Sequence, residues 1–132
     1  MQLSNDARTL SKKSQAMKSK EAQLQSACVR YFRYRYPKYK RLLFHVPNGG
    51  SRNVIEAANL KEQGVVAGAP DLILFVRKWY YPALCIELKA GKNKQTENQI
   101  LWQQDAESQG YLYKVVRSFD EFKEQIDWYM SY

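Results

Sequence analysis

Two apolar runs, Leu72 to Val76 and Ala83 to Ile86, are separated only by Arg77 to Pro82, and charge bounds both of them. Asp71 opens the first run, and Glu87 and Lys89 close the second. Short aliphatic runs bounded by turn residues read as strands. Joined as a hairpin centred near Trp79, they bring Asp71 opposite Glu87, with cross-strand Cβ atoms about 5 Å apart. Asp71, Ile73 and Phe75 share one face and Leu72, Leu74 and Val76 the other, so both faces are apolar and the strand is expected to be central and covered twice. Glu87 and Lys89, two residues apart, share a face. A carboxylate pair at the rim of a covered sheet is costly to ionise unless cations compensate it. Lys89 supplies one charge and a divalent metal would supply the rest; a solvated ion cluster at a strand end is the simpler alternative.

The remaining elements follow from periodicity and punctuation. Residues 1–17 are rich in Ser, Lys, Gln and Asn without apolar periodicity and read as a basic, flexible tail or a frayed first turn, leaving one packed domain over 18–132. From Ser19 to Tyr36, Leu24, Cys28, Tyr31 and Phe32 recur at helical spacing until Pro37 stops the helix. Arg41 to Val46 reads as a strand ended by the turn Pro47 to Gly50, and a second helix runs from Asn53 to Gln63 before Gly64. After the hairpin, Thr96 to Gln99 has the form of a capping box that opens a helix ending at Gly110. Tyr111 to Val116 is a further strand. Ser118 to Glu121 is a second capping box, starting a helix whose apolar positions are Phe119, Phe122, Ile126 and Tyr129. The expected order is α-β-α-β-β-α-β-α, an α/β domain with a central sheet flanked by helices.

Composition narrows the function. The chain has 132 residues, 45% of them hydrophobic, which suits one domain with a core of its own. It has no apolar run long enough to cross a bilayer and no apolar centre of a secretory signal near its start, so a cytoplasmic protein without membrane contact is expected. Cys28 and Cys85 both fall within apolar patterns and lack the paired spacing of a thiolate metal site, so buried free thiols are expected and zinc is not. A formal charge of +8 favours a polyanionic partner through counterion release, and nucleic acid leads.

With these residues in place, the chain resembles a known family. Pro70-Asp71 within "GAPDLIL" and Glu87-Leu88-Lys89 within "CIELK" are similar to the signature of the PD-(D/E)XK nucleases, which have the restriction-endonuclease-like fold with a mixed central sheet. "FHVPNGG", "LKEQGVVAGAPDLIL", "IELKAGKNKQTENQ" and "SQGYLYKVV" sharpen the resemblance to the VRR-NUC branch, the virus-type replication-repair nucleases, in a compact standalone form. It covers the chain from about Glu21 through the last helix.

The resemblance implies a structure-selective DNA endonuclease. Asp71 and Glu87 would be metal ligands, the Leu88 carbonyl an extra one, and Lys89 would position or polarise the attacking water. Glu21 would complete the metal site, since Glu21, Leu24, Gln25 and Cys28 follow one helical stripe; an acid in a first turn is also explained by the helix dipole. Gln99 matches the family's glutamine after the triad, although its capping role explains it equally well. His45, the only histidine, reads as hydrogen-bonded structure or a phosphate contact rather than a catalyst. Asn48, Gly49 and Arg52 form a donor-rich turn suited to phosphate, with Lys61, Lys92 and Lys94 as further DNA contacts. Phosphodiester hydrolysis needs a nucleophile near neutral pH and relief of extra negative charge, which magnesium on hard oxygen ligands supplies and manganese can replace. Standalone members are Holliday-junction-resolvase-like homodimers, and the aromatic hairpin tip Lys78 to Pro82 is a candidate partner surface. A flap or repair nuclease, and a non-catalytic DNA-binding or assembly module, are the alternatives.

Overall fold

A computed structural model describes residues 5–47 and 53–131. The expected loop contacts Asn48, Gly49 and Arg52 lie outside those residues. Helix α1 (Asn5–Arg35) is followed by a 3-10 helix (Pro37–Leu42), β1 (Leu43–His45), α2 (Val54–Glu62), β2 (Leu72–Leu74), β3 (Leu84–Leu88), α3 (Glu97–Ser108), β4 (Leu112–Val116) and α4 (Phe119–Met130). The strands form one mixed sheet in the order β1-β2-β3-β4, with β1-β2 and β2-β3 antiparallel and β3-β4 parallel.

Three expectations are corrected. The first helix begins at Asn5, not Ser19, so residues described from 5 to 17 are helical. Lys, Ala, Gln and Arg all favour helix intrinsically, and a stretch without an apolar stripe can continue a packed helix on that preference alone. Arg41 and Leu42 belong to the 3-10 helix, leaving a first strand of three residues. Finally, β2 is interior in the sheet but is not covered twice: Leu72, Leu74 and Val76 are buried, whereas Ile73 is half-buried and Phe75 is 60% exposed.

The well-covered face lies under α1 and α4. Cys28 and Phe32 of α1 meet Phe122, Ile126 and Tyr129 of α4 over Leu72, Leu74, Leu84, Ile86 and Val116, all in one buried cluster. Fully burying a side chain the size of Phe or Leu contributes about 1.5–3 kcal/mol, so this face holds the domain together. Polar bonds close it. The Tyr129 hydroxyl donates to the Val76 carbonyl at 2.6 Å, and the hydroxyls of Tyr31 and Tyr36 both donate to Asp127 at 2.7–2.8 Å. Two phenols from α1 and its C-terminal extension thus converge on one carboxylate of α4. Cys28 and Cys85 are buried free thiols, as expected, and burial pushes them up to about 12 and about 11.

The helix caps follow the sequence closely. Asn53 accepts the N–H of Ile55, Thr96 and Gln99 bond reciprocally as a capping box, and Ser118 accepts the N–H of Glu121. Glu121 reaches back to the N–H of Arg117 rather than to its own cap residue. At the hairpin tip Trp79 stacks on Trp128 of α4, with ring centroids 5.3 Å apart and planes 18° from parallel. Tyr81 packs against the core, and only Tyr80 stands clear, 93% exposed.

Candidate active site

The hairpin register decides the site. Leu72 pairs with Ile86 and Leu74 with Leu84, so one step further along the ladder Asp71 faces Glu87, with Trp79 at the centre of the connection as expected. Asp71 is held by three contacts at two of its atoms. Its carbonyl accepts the Val46 N–H at 3.0 Å and lies 2.7 Å from His45 Nδ1, and its Oδ2 accepts the Leu88 N–H at 2.6 Å. A carbonyl oxygen only accepts, so Nδ1 of His45 carries the proton and the ring is a structural donor to Asp71. Burial, together with the nearby Glu21 and Glu87 carboxylates, holds Asp71 above the usual carboxylate range, against the lowering effect of the Leu88 bond.

Glu87 is the most deeply placed acid, 1% exposed at the heart of an entirely buried strand. Its Oε1 accepts the Tyr113 hydroxyl at 2.6 Å and Gln95 Nε2 at 3.0 Å. Its Oε2 has no hydrogen bond and lies 3.8 Å from Lys89 Nζ, which is also buried. Burial and the bond to Glu87 push the Tyr113 phenol well above its ordinary value, so it serves as a donor.

Helix α1 brings the third acid. Glu21 Oε1 accepts the Ala90 N–H at 3.2 Å, tying the helix to the end of β3. Two open clefts share Glu21 and Lys18. One, of about 460 Å³, is also lined by Gln25, His45, Asp71 and Leu88, and the other, of about 390 Å³, by Lys13, Met17, Lys89 and Asn93. A third cleft continues past Gln25 and His45 to Arg30 and Arg33. Glu21 and Asp71 therefore line a groove whose α1 wall carries Lys13, Lys18, Arg30 and Arg33, while Glu87 is buried.

The other expected residues are placed differently. Gln99 has its Oε1 on the Thr96 N–H at 2.8 Å and completes the capping box, so the capping explanation describes its side-chain oxygen. Lys61 is exposed on α2, away from the residues that line these clefts. Lys92 and Lys94 are exposed on the loop after β3, which Arg117 pins by donating to the carbonyls of Gly91 at 3.1 Å and Asn93 at 2.7 Å. Lys18, Gln95, Tyr113 and Arg117 were not singled out from the sequence. Lys18 was within reach, being three residues before Glu21 and so on the same helix face. Tyr113 and Gln95 needed the β3-β4 register and the α3 placement.

The donor set suits a hard divalent cation. Three carboxylates gather near one buried lysine, and Glu87 Oε2 is a buried acceptor without a hydrogen-bond partner, which is costly unless a cation meets it. Among the described residues no three His, Cys, Asp or Glu side chains are close enough to hold an ion as they stand. Asp71 Oδ2 and Glu21 Oε1 each accept a main-chain N–H, so each carboxylate keeps one oxygen outside those bonds.

A mixed α/β domain with paired strand-end carboxylates, a buried lysine and a basic groove is of nuclease type. The chain belongs to the VRR-NUC domain family, whose model matches residues 9–120. A solved structure of a VRR-NUC domain protein is similar, with 27% sequence identity, a TM-score of 0.73, and coverage of 84% of this chain and 88% of that one. The comparison with curated proteins gave no match. Among the described residues no helix is long and apolar enough to cross a membrane.

Proposed function

We propose that this domain is a magnesium-dependent DNA endonuclease of the PD-(D/E)XK kind that cuts branched DNA, with a four-way junction as its preferred substrate. The observation that carries the reading is the pairing of Asp71 with Glu87 across the hairpin, with Lys89 beside Glu87 and Glu21 of α1 bonded to the Ala90 N–H at the end of β3. Glu21, Asp71, Glu87 and the Leu88 carbonyl are the groups that would hold the cation. When bound, magnesium or manganese supplies an acidified water and charge to offset the transferring phosphate. Lys89, 3.8 Å from Glu87 Oε2, would orient an attacking water or donate to the phosphate oxygens. Lys18 and Lys13 along α1, with Lys92 and Lys94 on the pinned loop, attract and align the strand's phosphates.

Two copies acting together suit a substrate with twofold symmetry. The hairpin tip is a weak interface because Trp79 is stacked on its own α4. The exposed part of the sheet is a better one: Phe44, Val66 and Phe75 are 44–60% exposed around a groove of about 620 Å³ floored by Ile73 and Cys85.

Labelled four-way junction, flap, single-strand and duplex DNA are to be cleaved side by side in magnesium and in chelator, with light scattering of the protein free and junction-bound. Paired symmetric cuts in the junction, dependent on the cation and made by a dimer, are expected. Cleavage undiminished by excess chelator would remove the metal reading, and preference for flaps by a monomer would replace the resolvase with a repair-type nuclease.

Glu21→Gln separates metal ligation from a dipole role. The amide oxygen can still accept the Ala90 N–H, so the fold is kept while the charge is lost. The variant is expected to need more magnesium for half-maximal activity and to turn over more slowly, with a melting temperature close to wild type. An unchanged magnesium curve would assign Glu21 to the helix alone.

A further inference from the structure

Within that nuclease reading, we infer that Tyr113 and Gln95 are positioning residues that aim one oxygen of Glu87 into the site. The terminal torsion of a glutamate is broad, so an unrestrained carboxylate can present either oxygen or neither. Here both donors converge on Oε1, the Tyr113 hydroxyl at 2.6 Å and Gln95 Nε2 at 3.0 Å. Two donors on one oxygen fix the carboxylate plane and turn Oε2 away from them. That oxygen is the one left without a hydrogen bond, on the side of Lys89.

The donors are themselves braced. Tyr113 lies on β4, where it pairs with Cys85, and so sits diagonally across the parallel ladder from Glu87. Its ring packs against Trp102 of α3 at 6.2 Å. Gln95, just before the α3 cap, also bonds Gln103 Oε1 at 2.8 Å, which fixes which way its amide points. Three elements, β4, α3 and the loop before it, thus set the orientation of a side chain on β3. Groups that orient a metal-ligating carboxylate in this way tune affinity without touching the ion.

The test is manganese binding to DNA-free protein, followed by the electron paramagnetic resonance of the free ion, with kcat and KM measured in parallel. Tyr113→Phe removes one hydroxyl and keeps the ring. It is expected to weaken manganese binding by about tenfold and to lower kcat by a similar factor, with KM for DNA unchanged. Gln95→Met, outside the packed sheet, should act in the same direction, which guards against a folding defect in either variant. A lost structural bond alone would lower the melting temperature and leave manganese affinity as it was. Wild-type affinity in both variants would overturn the inference and leave the nuclease standing. Wild-type protein that binds no manganese would overturn both.

Discussion

Asp71→Ala, Glu87→Ala and Lys89→Ala are each expected to lower turnover by at least a hundredfold, about 2.7 kcal/mol of barrier, while binding to junction DNA changes little. In the proposed reading these groups would contact the reacting phosphate or its cation, whereas basic residues along α1 and on the loop after β3 would hold the strand. Asp71→Asn is the cleanest form of the experiment, because its side-chain oxygen can still accept the Leu88 N–H and the fold is kept. Full activity of purified Glu87→Ala would end the assignment. The pH profile carries the same information. Without a cation, Asp71 is held above the usual carboxylate range by burial and by Glu21 and Glu87, so protons compete for it at a higher pH than for an ordinary aspartate, and the magnesium needed for activity should rise as pH falls. Stability runs the other way. A raised acid binds protons more tightly in the folded state, so the metal-free protein gains stability as pH falls through that value and loses it as pH rises. Asp71→Asn should remove this dependence and raise the metal-free melting temperature near neutral pH.

Gly68→Ala is expected to be the most damaging change away from the acids. Gly68 has φ +89°, and a Cβ there would lie 2.3 Å from the carbonyl oxygen of Asn98 and 2.8 Å from the amide nitrogen of Gln99. Those are main-chain atoms in the first turn of α3, so no side chain can swing aside. The left-handed backbone costs about 1–2 kcal/mol and the overpacking about 1–3 more, for a loss of about 3 kcal/mol and a fall in melting temperature on the order of 10 °C. Gly64→Ala is the control. Gly64 also has positive φ, at +106°, but no atom lies within 4 Å of the added Cβ, so only the backbone cost applies. Equal destabilisation by the two substitutions would show that α3 does not rest on Gly68. If it does, Gly68→Ala also shifts Gln95 and weakens the hold on Glu87.

The hairpin was legible because its two runs are symmetric about Trp79, and that symmetry alone brings Asp71 to Glu87. The caps at Asn53, Thr96 and Ser118 were legible because capping is local. What escaped was non-local or lacked an apolar signal. The parallel β3-β4 pair is joined through α3, with no tight turn to set its register, so the approach of Tyr113 to Glu87 had no mark in the sequence. The polar first half of α1 carries no apolar stripe, so periodicity missed a helix that intrinsic preference forms. Trp79 looked like surplus apolar surface because its partner, Trp128, lies on the last helix. The exposed face of β2 was hidden for a related reason: alternation shows which side chains share a face, not whether any layer covers it.

The bonds from Tyr31 and Tyr36 to Asp127 give a residue of α4 a hold on the helix that carries Glu21. α1, which carries Glu21, is seated on the sheet by packing and hydrogen bonds that include α4. The hairpin itself sets Asp71 opposite Glu87, whereas Glu21 arrives on α1, where it accepts the Ala90 N–H. A change at Asp127, far along the chain from every acid of the candidate site, is therefore expected to loosen the placement of Glu21 while leaving Asp71 opposite Glu87.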